Sequence, residues 1–338
     1  MARITLKDVA ARAGVSYQTV SKVLNKQASV TAETEERIWE AIRELGYRPN
    51  VSARNLRTQS SNLIGYGWQR SKNDAPRPIL DQFLYSAIQC AEDEGYHMLA
   101  FLSGEDSEST LGLYRDIYAR RQVEGFILAD TNEDDPRIAM LINEGIPFAS
   151  FGRTNDDWHY CWVDVDGRSG MRQIVTHLQE RGHEKIALIT WPEGSRAGGE
   201  RESGYFEQMA QAGLPVADGW VQRGEHAVNQ GYQLTTQLLT LPESERPTAV
   251  ACVSDELAIG AMNAALAQGL VVGQDVAVTG YDNVPMSEFL LPPLTTVKQP
   301  IHETGEAVID LLLRQINGDP ISQKNILLEP ELVVRQSS

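Results

Sequence analysis

Residues 5–25 read TLKDVAARAGVSYQTVSKVLN, and their pattern decides how the N-terminal part of the chain folds. Thr5 stands three residues before Asp8, the spacing of a capping box, in which each side chain satisfies a backbone N–H at a helix start. Leu6, Val9, Ala10 and Ala13 then recur at helical intervals along one face. Gly14 ends that helix, because the left-handed conformation needed there costs glycine no steric clash. Ser16 can cap a second helix, in which Val20, Val23 and Leu24 turn back toward the first. Tyr17, Gln18, Ser21 and Lys22 are left on the outer face. Two short helices around a glycine turn make a helix-turn-helix, whose second helix can lie in a DNA major groove. A hairpin buried in an ordinary core shares the spacing, but it would show apolar side chains where this one offers hydrogen-bonding and cationic groups.

A third helix follows. Thr31 is its N-cap, Glu33, Glu35 and Glu36 suit its first turn, and Ile38, Trp39, Ala41, Ile42 and Leu45 form its apolar stripe before Gly46 stops it. The three helices make a headpiece over 1–48, with Trp39 in its core. A linker, RPNVSARNLRTQSSN, occupies 48–62, and 49–60 holds at most a turn and a half of helix, too short to persist alone in water. From there to 338 the pattern alternates. LIGYGW, HMLAFL, GFILAD and IPFASF read as strands separated by helices over 79–94, 111–121 and 137–143. A second set comprises helices over 167–181, 197–212, 229–241 and 254–268 with strands KIALIT, TAVACV and DVAVTG. PPLTTVKQP and a helix over 301–317 read as a return to the first lobe, and NILLEPELVVR as a last strand of the second. The fold class expected is an all-α headpiece plus a two-lobed α/β core with parallel sheets. Its lobes span about 61–161 with 294–323, and 162–293 with 324–338. Ligands of such sheets bind outside the strand C-termini, here near Trp68, Ser103, Asp130 and Arg153.

The 338 residues are enough for two or three domains. Thirty basic residues against 46 acidic give −16, an odd balance for a chain that touches DNA. The charge is unevenly spread: residues 1–60 hold ten Lys/Arg and six Asp/Glu, a net of +4, which leaves −20 for the rest. The basic end is an electrostatic footprint for phosphate, and the acidic body disfavours random contact with nucleic acid. No apolar run is long enough to span a bilayer, and MARITLKDVA carries no signal-peptide stretch, so a cytoplasmic protein without a membrane partner is expected. Cys90, Cys161 and Cys252 lie far apart without metal-ligand spacing, as free thiols of a reducing compartment would. GYG at 65–67 is not a full dinucleotide fingerprint, and no Walker A, zinc helix or nucleophile elbow appears. No catalytic residue, metal or cofactor is assigned.

The N-terminal run resembles the DNA-binding headpiece of the lactose-repressor (LacI/GalR) family. Thr5, Leu6, Asp8, Val9, Ala10, Ala13, Gly14, Val15, Ser16, Tyr17, Gln18, Thr19, Val20, Ser21, Val23 and Asn25 carry the likeness. Gly95-Tyr96, VEGFIL, HLQERGHEKIALI, SDELAIGAM, VTGYDN and PPLTTVKQP extend it to the family's core, which has the fold of type I periplasmic sugar-binding proteins. On the recognition helix, Tyr17, Gln18 and Lys22 are placed to read bases, since Gln can pair with an adenine edge and Lys with guanine O6/N7. Ser16, Thr19, Ser21 and Asn25 are assigned to phosphate and register, and Thr5 completes the DNA-binding set. Relatives often carry arginine where Lys22 stands, so the bidentate fork is lost here. The resemblance further implies that the linker is a hinge helix that pairs with its twin on DNA, with Leu56 wedged into the minor groove beside Asn50 and Ala53.

For the cleft, Arg201 in ERESGY resembles the arginine that clamps effectors in this family. Ser254 and Asp255 open SDELAIG, Asp282 follows Tyr281, Gln299 lies on PPLTTVKQP, and Arg153 sits at a strand end. Carboxylate, amide and guanidinium groups together match adjacent sugar hydroxyls. Trp68 is the expected stacking surface. Ile79 stands where relatives often carry a covering aromatic ring, and His226 where some carry an aromatic contact. Trp158, Trp162 and Trp191 fall near lobe junctions, as hinge packing, and Asp166 suits a helix N-cap. The expected protein is a homodimeric repressor on a pseudo-palindromic operator, controlled by a mono- or oligosaccharide inducer. A nucleobase corepressor, with the opposite sign, is the alternative. A sugar solute-binding protein would share the two lobes but need a signal peptide and no headpiece. Tetrameric relatives end in a leucine-rich helix, whereas this chain ends at VVRQSS, so a dimer is expected.

Overall fold

The computed structural model describes residues 4–24, 30–47, 60–69 and 77–338, divided between two compact units, Met1–Ser61 and Asn62–Ser338. The first holds α1 (Leu6–Ala13), α2 (Tyr17–Leu24) and α3 (Ala32–Leu45). Gly14 takes φ 67° at the turn, the left-handed value its place in the sequence demands. Thr31 caps α3 by accepting the Thr34 N–H at 3.3 Å. Val9, Ala10, Ala13, Val20, Val23, Ile38, Ala41 and Tyr47 close into one apolar cluster. Trp39 is not part of it: the ring is 38 % exposed and its indole N–H reaches Glu35 at 3.4 Å. Helical phase explains the correction, since Ile38 and Ala41 already occupy the face that meets α1 and position 39 points about 100° away.

The second unit contains two lobes. In the first, β1 (Leu63–Trp68), β2 (His97–Leu102), β3 (Gly125–Leu128), β4 (Phe148–Phe151), β5 (Cys161–Val165) and β11 (Asn325–Leu328) form a parallel sheet in the order β11-β5-β4-β3-β1-β2. Helices α4 (Pro78–Asp93), α5 (Ser107–Ala119), α6 (Pro136–Glu144) and α11 (Ile301–Asn317) belong to it. In the second, β6 (Ile186–Thr190), β7 (Val221–Arg223), β8 (Ala249–Cys252) and β9 (Ala277–Thr279) run parallel in the order β7-β6-β8-β9. Its helices are α7 (Gly167–Glu180), α8 (Arg196–Gln211), α9 (Val228–Leu239) and α10 (Asp255–Ala267). Every residue of β3, β6 and β8 is buried, as strands covered by helices on both faces must be.

Two strands were not legible as such: CWVDV, which is β5, and VQR, which is β7. The C-terminal reading is also corrected. Residues 296–298 form β10 (Thr296–Lys298), which pairs antiparallel with β12 (Glu331–Val333) and stays with the second lobe, because Leu294, Val297 and Leu332 pack into its core. Return to the first lobe begins only at Ile301. The first half of NILLEPELVVR goes to the first lobe, where Ile326 and Leu328 pack beside β5. The chain therefore passes between the lobes near 166, 299–300 and 329–330. Cys90, Cys161 and Cys252 are free thiols. No described helix is long and apolar enough to cross a membrane.

Candidate functional site

The outer face of α2 is built by its cap. The Ser16 hydroxyl accepts the Thr19 N–H at 3.1 Å and lies 2.8 Å from the Thr19 hydroxyl, so both side chains are engaged in starting the helix. Val20 and Val23 are buried, which leaves Tyr17, Gln18 and Lys22 exposed and Thr19 and Ser21 half-buried. At the start of α1, Asp8 accepts the hydroxyl of Thr5 at 2.7 Å and its N–H at 2.8 Å, and these bonds hold its carboxyl below the usual range. Asn25, Asn50, Ala53 and Leu56 lie outside the described residues.

A cavity of about 330 Å³ opens between the lobes of the second unit. Ile79, Asp130, Phe151 and Asp164 line it from the first lobe, Trp191, Glu200, Arg201 and His226 from the second, and Gln299 from the crossing segment after β10. Arg201 is its best-anchored cation. Its guanidinium lies 3.7 Å from the centroid of the Tyr281 ring and 5.1 Å from that of Trp191, and it donates to the carbonyl of Val253. Asp282 backs it at 3.4 Å and also accepts the Gln299 amide at 2.6 Å. One buried carboxylate thus sets two ligand-facing donors side by side. Burial pushes the Asp282 carboxyl up to about 6, against the pull of Arg201.

The opposite wall is acidic. Asp130 pairs with Arg77, and its backbone, in the left-handed region at φ 54°, is held by Arg137, whose guanidinium donates to the Asp130 carbonyl at 3.0 Å. Arg137 is itself buried against Asp135 at 2.6 Å. Arg153 does not line the cavity but donates to Asp164 at 3.0 Å and approaches Glu200 at 3.7 Å. Burial raises the Asp164 carboxyl although Arg153 opposes it. On the second lobe His226 lies 2.8 Å from Glu256 with its ring centroid 5.1 Å from that of Trp191.

Ile79, Arg201, His226 and Gln299 are therefore brought together, with Asp282 directly behind. Ser254 and Asp255 are not at the wall. Ser254 caps α10 through the Leu257 N–H, and the fully buried Asp255 accepts the Val284 N–H at 2.8 Å and the Thr296 hydroxyl at 2.5 Å. Those bonds shape the turn that presents Asp282, where φ is 113°. Trp68 lines a smaller recess beside the cavity with Arg77 and Asp130. The large ring at the wall is instead Trp191, which stands directly after β6, and its position at a strand C-terminus was the signal for it. Asp164 and Glu200 escaped the sequence reading: the first sits in an unrecognised strand, the second one residue before Arg201 on a helix. Asp166 caps α7 through the Ser169 N–H at 2.8 Å. Among the described residues no cluster suits a metal ion.

Comparison with known proteins places this geometry. Residues 5–50 match the model of bacterial regulatory proteins, lacI family, and residues 175–338 that of a periplasmic binding protein-like domain. The HTH-type transcriptional repressor PurR of Erwinia tasmaniensis is 33% identical over 336 residues, 98% of this chain and 96% of its own. A regulatory protein of LacI family from Chloroflexus aggregans is 43% identical in its crystal structure, with a TM-score of 0.78 over 82% of this chain and 98% of that one. The lac repressor dimer bound to operator and the anti-inducer ONPF is 32% identical, with a TM-score of 0.86 over 99% of each chain. With its helix-turn-helix unit and its two-lobed core of parallel sheets, the chain belongs to the LacI family of DNA-binding transcriptional repressors.

Proposed function

We propose that this repressor acts as a homodimer on a pseudo-palindromic operator and is controlled by a sugar, a mono- or oligosaccharide, held in the interlobe cavity. Division into a headpiece over 1–48, a hinge over 49–60 and a core over 61–338 belongs to the same reading. Tyr17, Gln18 and Lys22 read bases, while Thr5, Ser16, Thr19, Ser21 and Asn25 fix the register on phosphate. Asn50, Ala53 and Leu56 act at the operator centre. The observation that carries the sugar reading is the arrangement around Asp282. Arg201 and Gln299 offer adjacent donors, Asp130 and Asp164 supply acceptors on the facing wall, and Glu200 supplies one beside Arg201. Vicinal hydroxyls, each both donor and acceptor, match that alternation. Trp191 and Phe151 supply ring surface for the apolar face of a pyranose. The sugar biases the lobes between two arrangements, and the bias is reciprocal between cleft and operator.

A nucleobase corepressor is the second reading, favoured by similarity to the PurR repressor along 98% of the chain. Mobility shift on the upstream region of its own gene, with sugars and purine bases added in turn, separates the two. Release of DNA by a sugar supports the first reading, and tightening by a base the second. A protein that shifts no DNA at any salt concentration removes both.

A further inference from the structure

Among the described residues, each cation in the cavity wall is paired with a carboxylate before any ligand arrives. Of the two described arginines in its wall, Arg77 is paired with Asp130 and Arg201 with Asp282. Behind the wall, Arg153 is paired with Asp164 and Glu200, and Arg196 lies 3.3 Å from Glu200. Among the described residues no lysine lines the cavity, and Glu225 adds a fourth carboxylate to its surface. A phosphate ester carries nearly two negative charges at neutral pH. To find a cation here it would have to displace a carboxylate already in place: Asp282 is buried beside Arg201, where an uncompensated charge is strongly unfavourable, and Asp130 is partly buried beside Arg77. A neutral polyol needs no such exchange. Each paired carboxylate oxygen keeps a lone pair for a hydroxyl, and the arginine and Gln299 donors stay in place. The Trp191 indole N–H is buried with no hydrogen-bond partner among the described residues, so the wall also holds one uncharged donor in reserve.

Building on the sugar reading above, we infer that the cavity is matched to an electrically neutral sugar and turns away its phosphorylated or carboxylated counterparts, with Asp130, Asp164 and Asp282 as the specificity-determining residues. Neutral charge is the property selected, and hydroxyl pattern refines it.

Full-length protein tested with glucose, galactose, maltose and cellobiose, with glucose 6-phosphate, galacturonate and inorganic phosphate, and with purine bases decides the matter. Thermal unfolding at constant ionic strength and operator mobility shift are the two readouts. The expected result is a response to at least one neutral sugar, with its charged counterpart about 100-fold weaker or silent, a factor of the size that breaking a buried ion pair produces. Inorganic phosphate leaves the wild-type Tm where chloride leaves it. Asp130→Asn, which frees Arg77, acquires a Tm that rises with phosphate, and Asp282→Asn, which removes the carboxylate paired with Arg201, provides the second variant should the first fold poorly. A charged sugar that acts more strongly than its neutral parent overturns the inference and leaves the sugar reading intact. So does a wild-type rise with phosphate that Arg77→Gln abolishes. A neutral base as sole effector removes the sugar reading while charge selection stands, and silence of every neutral compound overturns the inference.

Discussion

At the scale of single residues, the two ends of the protein are governed by different physics. Gln18 is exposed on a helix whose fold depends on Val20 and Val23, so its truncation leaves the headpiece standing and alters only what that face can recognise. Gln18→Ala should therefore cost about 1–3 kcal/mol at one base position of the operator, the scale of a bidentate contact. Binding to operators substituted at single positions checks this, and equal loss at every position would assign Gln18 to the phosphates instead. Asp282 is the reverse case, a buried carboxylate with its pKa raised to about 6 from 3.8. The folded state then holds a proton that the unfolded chain has released. Its contribution to stability is complete below about 4, fades as pH rises through 6, and amounts to about 3 kcal/mol by proton linkage. Asp282→Asn cannot take up that proton. The difference in stability between wild type and variant should grow in favour of wild type as pH falls from 7.5 to 4.5, as denaturant titrations at both pH values will show. A difference that does not vary with pH would mean that Arg201 keeps Asp282 ionised throughout.

At the scale of elements, α9 and α10 pack backbone against backbone because glycines face each other across the contact. A Cβ on Gly231 would stand 2.1 Å from the Leu257 carbonyl oxygen, and one on Gly260 2.1 Å from that of Val228. Neither neighbour is a side chain that can swing aside. Gly231→Ala should thus destabilise the protein by about 3 kcal/mol or more, the upper range for overpacking. Gly199, in α8, has nothing within 4 Å of the same position, and Gly199→Ala should stabilise by about 0.5–1 kcal/mol through helix propensity alone. Opposite shifts of Tm test the pair together. The elements themselves were largely written in the sequence. Residues 301–317 carry a continuous apolar stripe and fold as read, and every strand rich in Val, Ile and Ala was visible. CWVDV was missed because its alternation runs over only five residues, with the acidic Asp164 in the place where an outward polar residue would be expected. VQR is shorter still. The destination of a strand was less legible than its existence. Nothing local in NILLEPELVVR reveals that Pro330 divides it between lobes, because pairing partners are fixed by the rest of the fold. The cleft divided in the same way. Arg201 and Gln299 were found through their motifs, whereas Asp164, Glu200 and Trp191 meet them only once two sheets are closed on one another.

At the scale of the whole core, the two lobes are joined outside the cavity by ion pairs of opposite polarity. Asp156, in the loop after β4, reaches Arg196 at the start of α8 at 2.7 Å, and Arg153 of the same loop lies 3.7 Å from Glu200 on α8. One lobe supplies the anion in the first pair and the cation in the second. Glu200 belongs to the cavity wall, so a ligand that draws on its oxygens competes with Arg153, whereas Asp156 is 74% exposed and does not line the cavity. Asp156 can therefore be altered without touching the binding groups, whereas Arg196 also lies 3.3 Å from Glu200. An exposed pair contributes at most about 1 kcal/mol, which corresponds to roughly a fivefold shift between two lobe arrangements. Asp156→Arg sets two guanidinium groups against each other and should change the effector concentration for a half-maximal change in operator binding by about three- to fivefold, without changing operator affinity at saturating effector. Asp156→Ala, Arg196→Ala and their combination form a double-mutant cycle in which the loss of the Glu200 contact cancels, and the midpoint shifts should be non-additive, as a direct contact requires. Additive effects of the two substitutions would show that the lobes do not communicate through this pair.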